Sequence, residues 1–275
     1  MNEYRPGKFQ YLPLVIKNLM IINGLVWLVQ ITLLNRFDYD LSRLFALHYW
    51  GSPLFKPHQF ITHLFMHDTK GFAHLFFNMF TLWMFGSTLE NLWGAKRFLI
   101  FYLICGLGAA LCYMGMLTYD NLSLAKYAGH FIDDPTFSNF VALDNKFDLG
   151  SMANFNMQSL KNALANNDPS AIEMAQLYVR NYVNFYQNIP TVGASGAVYG
   201  ILFAFGFMFP NRYLYFFAMF PIKAKFVVGF MIIGEVWASI QNNPGDNVAH
   251  FAHLGGALFA YLLLRGWNKR RSDFY

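Results

Sequence analysis

Long apolar runs separated by polar segments dominate the chain. Six of these runs are about as long as the 17–25 residues that a helix needs to cross the hydrocarbon core of a bilayer. They lack the amphipathic spacing that is typical of soluble helices. We therefore predict an all-α, polytopic membrane protein, one membrane domain over residues 1–275 built as a six-transmembrane-helix bundle. The predicted spans cover residues 13–34, 72–89, 98–118, 190–209, 224–240 and 248–264.

Two longer polar segments interrupt this pattern. The connector at residues 35–71 is rich in Pro, Gly and Trp and is predicted to be a partly buried loop with short helices. Residues 119–188 form a polar insert, predicted to be soluble, helical and extracytoplasmic. Within the insert, Asp168 and Pro169 are an N-cap followed by a first-turn proline, which indicates a helix start. We expect the insert to lie over the mouth of any site at the outer face and to narrow substrate choice.

Composition supports a membrane protein. Of the 275 residues, 56% are hydrophobic and 13% are charged, against roughly 25% charged residues in soluble domains. The net charge of +5 arises at the ends of the predicted spans, so it does not indicate a nucleic-acid partner. Cys105 and Cys112 lie two turns apart in one predicted span and are interpreted as packing residues.

Charge also orients the predicted spans. With six spans both termini lie on one side, and 12 of the 20 Lys and Arg residues fall on that side. The opposite side carries eight bases and eleven acids. The positive-inside rule then places both termini in the cytoplasm, and the connector and insert outside. The expected location is a bacterial inner membrane.

Unusual polar residues cluster near the predicted outer face. They occur in the first two turns of the second, fourth and sixth spans, within roughly 10 Å of the boundary at 1.5 Å per residue. Ionisable groups at membrane depth usually mark a functional site. The residues are His74, Asn78, Ser195, His250 and His253.

These residue types favour acyl-transfer chemistry. A serine hydroxyl is a poor nucleophile until a neighbouring base, commonly histidine, takes its proton. Backbone N–H groups beside Ser195, with the side chains of His74 and Asn78, could stabilise an oxyanion. Small residues on two spans allow the helices to approach closely. They are Gly196 and Gly200 on the fourth span, and Gly256 and Ala260 on the sixth.

Three motifs on separate spans resemble the rhomboid intramembrane serine proteases. They are Gly193-Ala194-Ser195-Gly196, Ala252-His253-Leu254-Gly255-Gly256 and His74-Leu75-Phe76-Phe77-Asn78, within a resemblance from about Phe60 to Arg265. The resemblance implies that Ser195 is the nucleophile and His253 the base of a Ser–His dyad without an acid. It also implies that His74 and Asn78 line the oxyanion hole and that Tyr199 stacks on the catalytic histidine. Gly193, Gly196 and His250 are supporting residues.

Some positions depart from the family pattern. His58-Gln59 stands where the family often has Trp-Arg, and Ala260 where glycine is common. The insert is longer than the basic form of the family needs. His63 and His67 match family histidines before the second span. Their separation of four residues also suits metal ligands on a helix, but no acidic or thiolate partner is apparent, so no metal and no cofactor is expected.

Several alternatives stay open from sequence alone. His250 and His253 are three residues apart, so either could face Ser195, although the Gly-Gly that follows His253 matches the family. Glu235, within the fifth span, is expected to pair with a neighbouring helix or to face water. The predicted activity is endoproteolysis of single-span membrane substrates in the lipid bilayer. The alternatives are a catalytically silent relative that binds membrane proteins, and a transporter, which requires polar residues through the full depth of the membrane.

Overall fold

The chain is mostly helical in the computed structural model, which describes residues 9–216, 220–241 and 249–269. The α-helices are α1 (Leu14–Phe37), α2 (Ser42–Phe45), α3 (Gln59–Thr62), α4 (Ala73–Thr81), α5 (Ser87–Trp93), α6 (Ala95–Asp133), α7 (Phe137–Phe147), α8 (Met157–Ala165), α9 (Pro169–Gln187), α10 (Ser195–Met208), α11 (Ala224–Gln241) and α12 (His250–Lys269). Short 3-10 helices occupy His63–Phe65 and Leu149–Met152. Outside the described residues lie Arg5, Lys8, Arg270 and Arg271, the start of the sixth span at 248, and most of the turn before it.

Three of these helices are long and apolar enough to cross a membrane: α1, α6 and α11. Helix α10 is equally apolar but has only 14 residues. Large side chains on α1 and α11, such as Leu25 and Phe230, point away from the protein and are exposed. A surface of this kind needs lipid around it, so the chain is an integral membrane protein. The count of six spans stays a prediction.

The predicted second span is one helical rod of three parts. Helix α4 continues through a π-helical turn at Leu82–Gly86 into α5, which ends at Trp93 and is followed by Gly94. Near the end of α5, the buried Glu90 carboxylate accepts hydrogen bonds from the backbone N–H groups of Val15 and Ile16, each at 2.9 Å. Glu90 therefore satisfies two of the free donors in the first turn of α1.

The centre of the bundle is formed by α6, α10 and α12, which meet through small residues. A methyl group on Gly196 would overlap the side chain of Ala109, and one on Gly256 would overlap the carbonyl oxygen of Gly196. Since such contacts admit only hydrogen at these positions, the glycines allow α10 and α12 to cross almost in backbone contact. This crossing lies one residue from Ser195.

Helix α6 does not end at the predicted limit of the third span, residue 118. It continues to Asp133; α7 and α9 pack against it, and α8 packs against α7 and α9. Together these helices enclose a second hydrophobic core, separate from that of the membrane domain, whose fully buried members include Phe131, Phe140, Leu143 and Val179. As predicted, Asp168 caps α9, accepting from the backbone N–H of Ser170 at 2.9 Å.

The fold is not wholly α-helical. After the predicted fourth span, β1 (Tyr213–Phe216) and β2 (Phe220–Lys223) form an antiparallel pair. Alternating aromatic and aliphatic residues favour extended structure there. The hairpin joins α10 to α11, so it lies at the end of α10 opposite Ser195.

The connector is folded against the membrane domain through polar side chains. The fully buried Gln59 amide donates to the carbonyl oxygens of Leu44 and Leu54, at 3.2 and 2.8 Å. Gln30 of α1 brackets the backbone of His67, donating to its carbonyl and accepting from its N–H, both at 3.0 Å. Glutamine at position 59 thus supports the connector where the family often has arginine.

Candidate active site

Ser195 is the first residue of α10, and the segment before it is tied to the connector. Leu47 and Thr191 form an antiparallel bridge with N–H to oxygen distances of 2.9 and 2.8 Å. Two residues later, the Gly193 N–H donates to the carbonyl oxygen of His63 at 3.0 Å. Gly193 has φ of 124°, a region that residues with a side chain rarely adopt. The serine therefore lies at a helix start whose approach is fixed by the backbone.

His253 is the histidine that faces Ser195. Its Nε2 lies 2.9 Å from Ser195 Oγ, within hydrogen-bond distance. The ring of Tyr199, one turn further along α10, stacks on the imidazole with ring centroids 4.0 Å apart and planes 6° apart. Only 7% of the His253 surface is exposed. The imidazole is thus held on one face and poised at the serine hydroxyl.

His74 lies on the other side of the serine loop. A methyl group placed on Gly193 would lie 3.1 Å from His74 Nε2 and 3.7 Å from Ser195 Oγ, so the ring and the hydroxyl flank one point. The Asp68 N–H donates to His74 Nδ1 at 3.3 Å. In a neutral imidazole this contact assigns the proton to Nε2. His74 can therefore donate a hydrogen bond towards an oxyanion beside Ser195.

Asn78 lies one turn below His74 on α4 and is buried. Its amide nitrogen donates to the carbonyl oxygen of His74 at 2.9 Å. An amide has two N–H donors, so this bond leaves one for a second partner. The structure thus groups both predicted oxyanion residues on the face of α4 that borders α10.

Glu235 of α11 also reaches the site. Its carboxylate accepts a hydrogen bond from the Tyr199 hydroxyl, lies 2.6 Å from His250 Nδ1 and lies 3.0 Å from His253 Nδ1. The last contact is at ion-pair distance but is not aligned as a hydrogen bond. His253 Nδ1 therefore has no hydrogen-bond partner within the described part of the chain. The sequence indicates pairing with another helix, but not that the partner is the histidine at the serine.

The glutamate and the two histidines have the composition of a zinc site. One donor atom from each lies within 4.8 Å of the others. Two ligands of a tetrahedral zinc at bonds of about 2.0–2.1 Å lie roughly 3.3 Å apart, whereas the carboxylate contacts here measure 2.6 and 3.0 Å. These distances are those of hydrogen bonds and ion pairs, so we interpret the group as a proton-linked cluster.

His63 and His67 serve the connector and do not form a ligand pair. His63 Nδ1 lies 2.7 Å from the carbonyl oxygen of Gln59, and burial lowers the pKa of His63 to about 4. His67 is 1% exposed, and its ring lies beside that of His74 with centroids 5.2 Å apart. His63 thus packs beside the serine loop, and His67 packs beside His74.

A small cavity opens beside the serine. Its volume of about 20 Å³ is enough for about one water molecule. It is bordered by Ser195, Gly193, His63, Thr191 and Ala252. A water there would lie next to the serine, where hydrolysis of an acyl-enzyme would need one.

Most of the chain matches the sequence model of a known family. The sequence model of the Rhomboid domain matches residues 55–128 and 170–267. The match covers more than half of the chain, including every residue of the site, so the chain belongs to the Rhomboid family. Residues 129–169, which contain most of the insert's helices, lie outside the match.

One relative is a plant protein whose name describes it as mitochondrial. The chain is 24% identical over 217 residues to RHOMBOID-like protein 12, mitochondrial, of Arabidopsis thaliana. The aligned part covers 79% of this chain but 48% of that protein. The chain thus spans about half the length of this relative.

Proposed function

We propose that this protein is an intramembrane serine endopeptidase in which Ser195 and His253 act as nucleophile and base. The observation that carries the proposal is the 2.9 Å separation of His253 Nε2 from Ser195 Oγ. A hydroxyl with a histidine at this distance can be deprotonated as it attacks a carbonyl carbon. The Rhomboid family membership supports the same reaction class by analogy.

Acylation uses groups that already flank the serine. Ser195 Oγ attacks the scissile carbonyl while its proton passes to His253 Nε2. The oxyanion of the tetrahedral intermediate is stabilised by the Ser195 N–H and by the Nε2–H of His74, with Asn78 beside it. His253 then protonates the leaving amine, and the acyl-enzyme remains.

Deacylation reverses the same proton path. A water in the cavity beside Ser195 gives a proton to His253 Nε2 and attacks the ester carbonyl. Collapse of the second tetrahedral intermediate returns the proton to Ser195 and releases the acid.

The membrane placement is part of the proposal. We propose six spans with both termini in the cytoplasm and the site opening to the outer side. The substrates are single-span membrane proteins whose helix unwinds near that face. The location of Ser195, His253 and His74 in the first turns of α10, α12 and α4 supports a site near the membrane boundary, where water and an unwound peptide can both enter.

The test is labelling of purified protein with a fluorophosphonate probe. We expect wild-type protein to be labelled, and Ser195→Ala to lose the label completely. His253→Ala should slow labelling by at least 100-fold, because the hydroxyl then lacks its base. Ser87→Ala, which removes a buried hydroxyl elsewhere in the second span, and His58→Ala in the connector serve as matched controls that keep the wild-type rate.

The outcomes separate the alternatives. Labelling retained in His253→Ala but lost in His250→Ala would assign the base to His250. A wild-type protein that is labelled neither in detergent nor in bilayers would overturn the proposal and favour a relative that binds membrane proteins without cleaving them. Cleavage of a single-span reporter, with the product mapped by mass spectrometry, then defines the peptide bond.

A further inference from the structure

The carboxylate of Glu235 occupies the position that a third catalytic-triad member takes. His253 presents Nε2 to Ser195 at 2.9 Å and Nδ1 to Glu235 Oε1 at 3.0 Å. The imidazole therefore lies between the serine hydroxyl and the glutamate carboxylate. A histidine can accept a proton on Nε2 only when its neutral form carries hydrogen on Nδ1. A carboxylate beside Nδ1 favours that tautomer and the imidazolium that follows.

Glu235 is itself held in place from two sides. The Tyr199 hydroxyl donates to Oε1, and His250 Nδ1 lies 2.6 Å from Oε2. The residue is 7% exposed within a predicted span. A charge in such surroundings is costly unless donors satisfy it. The two donors explain why a carboxylate is retained at this depth.

Tyr199 connects the two ends of this arrangement. Its ring stacks on His253 with centroids 4.0 Å apart, and its hydroxyl holds the carboxylate that faces the edge of the same imidazole. One side chain thereby fixes the ring of the base and the acid beside it. The misalignment of the His253–Glu235 contact is of the kind that tightens when substrate is bound.

We propose that Glu235 is a positioning residue that acts through His253, with Tyr199 and His250 holding its carboxylate. The inference rests on the proposed function. It makes α11 a contributor to the site together with α4, α10 and α12. It also gives the hydroxyl of Tyr199 a role distinct from that of its ring.

The test is to separate the binding and chemical steps of fluorophosphonate labelling. We expect Glu235→Gln to lower the maximal labelling rate constant at least tenfold, while the probe concentration for half-maximal rate changes less than threefold. An amide offers one acceptor and one donor group, so it cannot accept from Tyr199, His250 and His253 together. Glu235→Asp keeps the charge and should recover part of the rate.

Glu90→Gln is the matched control. Glu90 is the other glutamate that is buried among the described residues, and it contacts α1 rather than the site. Its variant should unfold at lower temperature but keep the wild-type labelling constants in the folded fraction. A Glu235 that only stabilises the fold would behave like Glu90, and that result would overturn the inference.

A double-mutant cycle of Tyr199 and Glu235 provides a second, independent criterion. Tyr199→Phe keeps the stacked ring and removes the hydroxyl. If the hydroxyl acts through Glu235, Tyr199→Phe slows labelling in wild type and has no further effect in Glu235→Gln. Additive effects, or an unchanged rate in Glu235→Gln, would overturn the inference. Failure of the proposed function is distinct, because then wild-type protein itself is not labelled.

Discussion

His63 links the buried connector to the serine loop through its backbone and its ring. Its carbonyl oxygen accepts from Gly193, whose φ is 124°, and its ring is buried against Gln59. The conformation of Gly193 also places the peptide beside His74, where a side chain would not fit. The geometry at Ser195 therefore depends on a histidine that takes no part in the proposed chemistry.

The buried ring of His63 predicts that the folded protein becomes less stable in acid. Burial lowers the pKa of His63 to about 4 from 6.5. Above pH 6.5 both folded and unfolded states hold a neutral ring. As pH falls towards 4, the unfolded state binds a proton that the folded state excludes, so stability falls, by up to about 3 kcal/mol. Thermal unfolding between pH 7.5 and 4.5 should show a shallower decline for His63→Gln than for wild type.

The comparison uses slopes because His63→Gln can also change stability at neutral pH. His58→Gln, at a connector residue that is largely exposed, should keep the wild-type slope. Equal slopes for wild type and His63→Gln would contradict a neutral buried ring.

Single residues of the site were predictable to different degrees. Ser195, His253 and Tyr199 lie in motifs whose spacing along two helices sets which side chains meet. Glu235 is one acid in a nearly uniform apolar run, so periodicity does not reveal which way α11 turns it. Its partners follow only from packing of α11 on α10 and α12, which is a tertiary property.

Among the helices, α1 depends on a side chain from another helix for its start. Pro13 precedes it and no side chain in its own first turn caps it. Instead Glu90 of α5 accepts from the N–H groups of Val15 and Ile16. The helix positive end and a buried carboxylate then stabilise each other.

Glu90→Ala should therefore destabilise the bundle by about 1–3 kcal/mol, because it leaves buried donors without an acceptor. Glu90→Gln should cost less, since its amide oxygen still accepts. Thermal unfolding in detergent measures both variants. Glu173→Gln, at an exposed position on α9, is the control and should match wild type. No change in Glu90→Ala would mean that α1 is held by its apolar contacts alone.

Element boundaries were harder to predict than element identity. Tyr119, Asp120 and Asn121 mark the end of the apolar run, but none of them breaks a helix, so α6 continues. The π-helical turn at Leu82–Gly86 has no residue signature that distinguishes it from α-helix. The hairpin after α10 follows from a short aromatic segment whose strand pairing becomes evident only once both strands are placed.

The described part of the molecule has two large hydrophobic cores and a smaller cluster around Leu47, Ala110 and Met114. The membrane core contains Phe98 and Phe205, and the insert core contains Phe131 and Phe140, whose ring centroids are 5.2 Å apart. The family match omits residues 129–169, which contain α7 and α8. That the insert narrows substrate choice stays a prediction.

Phe140→Ala should loosen the insert without disabling the site. Removing a fully buried phenylalanine costs about 3–5 kcal/mol, and Phe140 belongs to the insert core and not to the membrane core. Limited proteolysis should cut within residues 134–168 faster, while fluorophosphonate labels Ser195 within twofold of the wild-type rate. Phe98→Ala, the same change in the membrane core, should lower the labelled fraction. Parallel loss of labelling in Phe140→Ala would show a single cooperative unit.

Helix α6 joins these two cores without a break. Its 39 residues contain no proline and measure roughly 58 Å at 1.5 Å per residue. A spectroscopic label at its carboxyl-terminal end, near Asp133, therefore reports the tilt of the whole rod, including the part that borders Ser195. Distances from that label to α11 would follow the motion of Glu235 relative to the catalytic helices, from a position far enough away to leave the site chemically untouched.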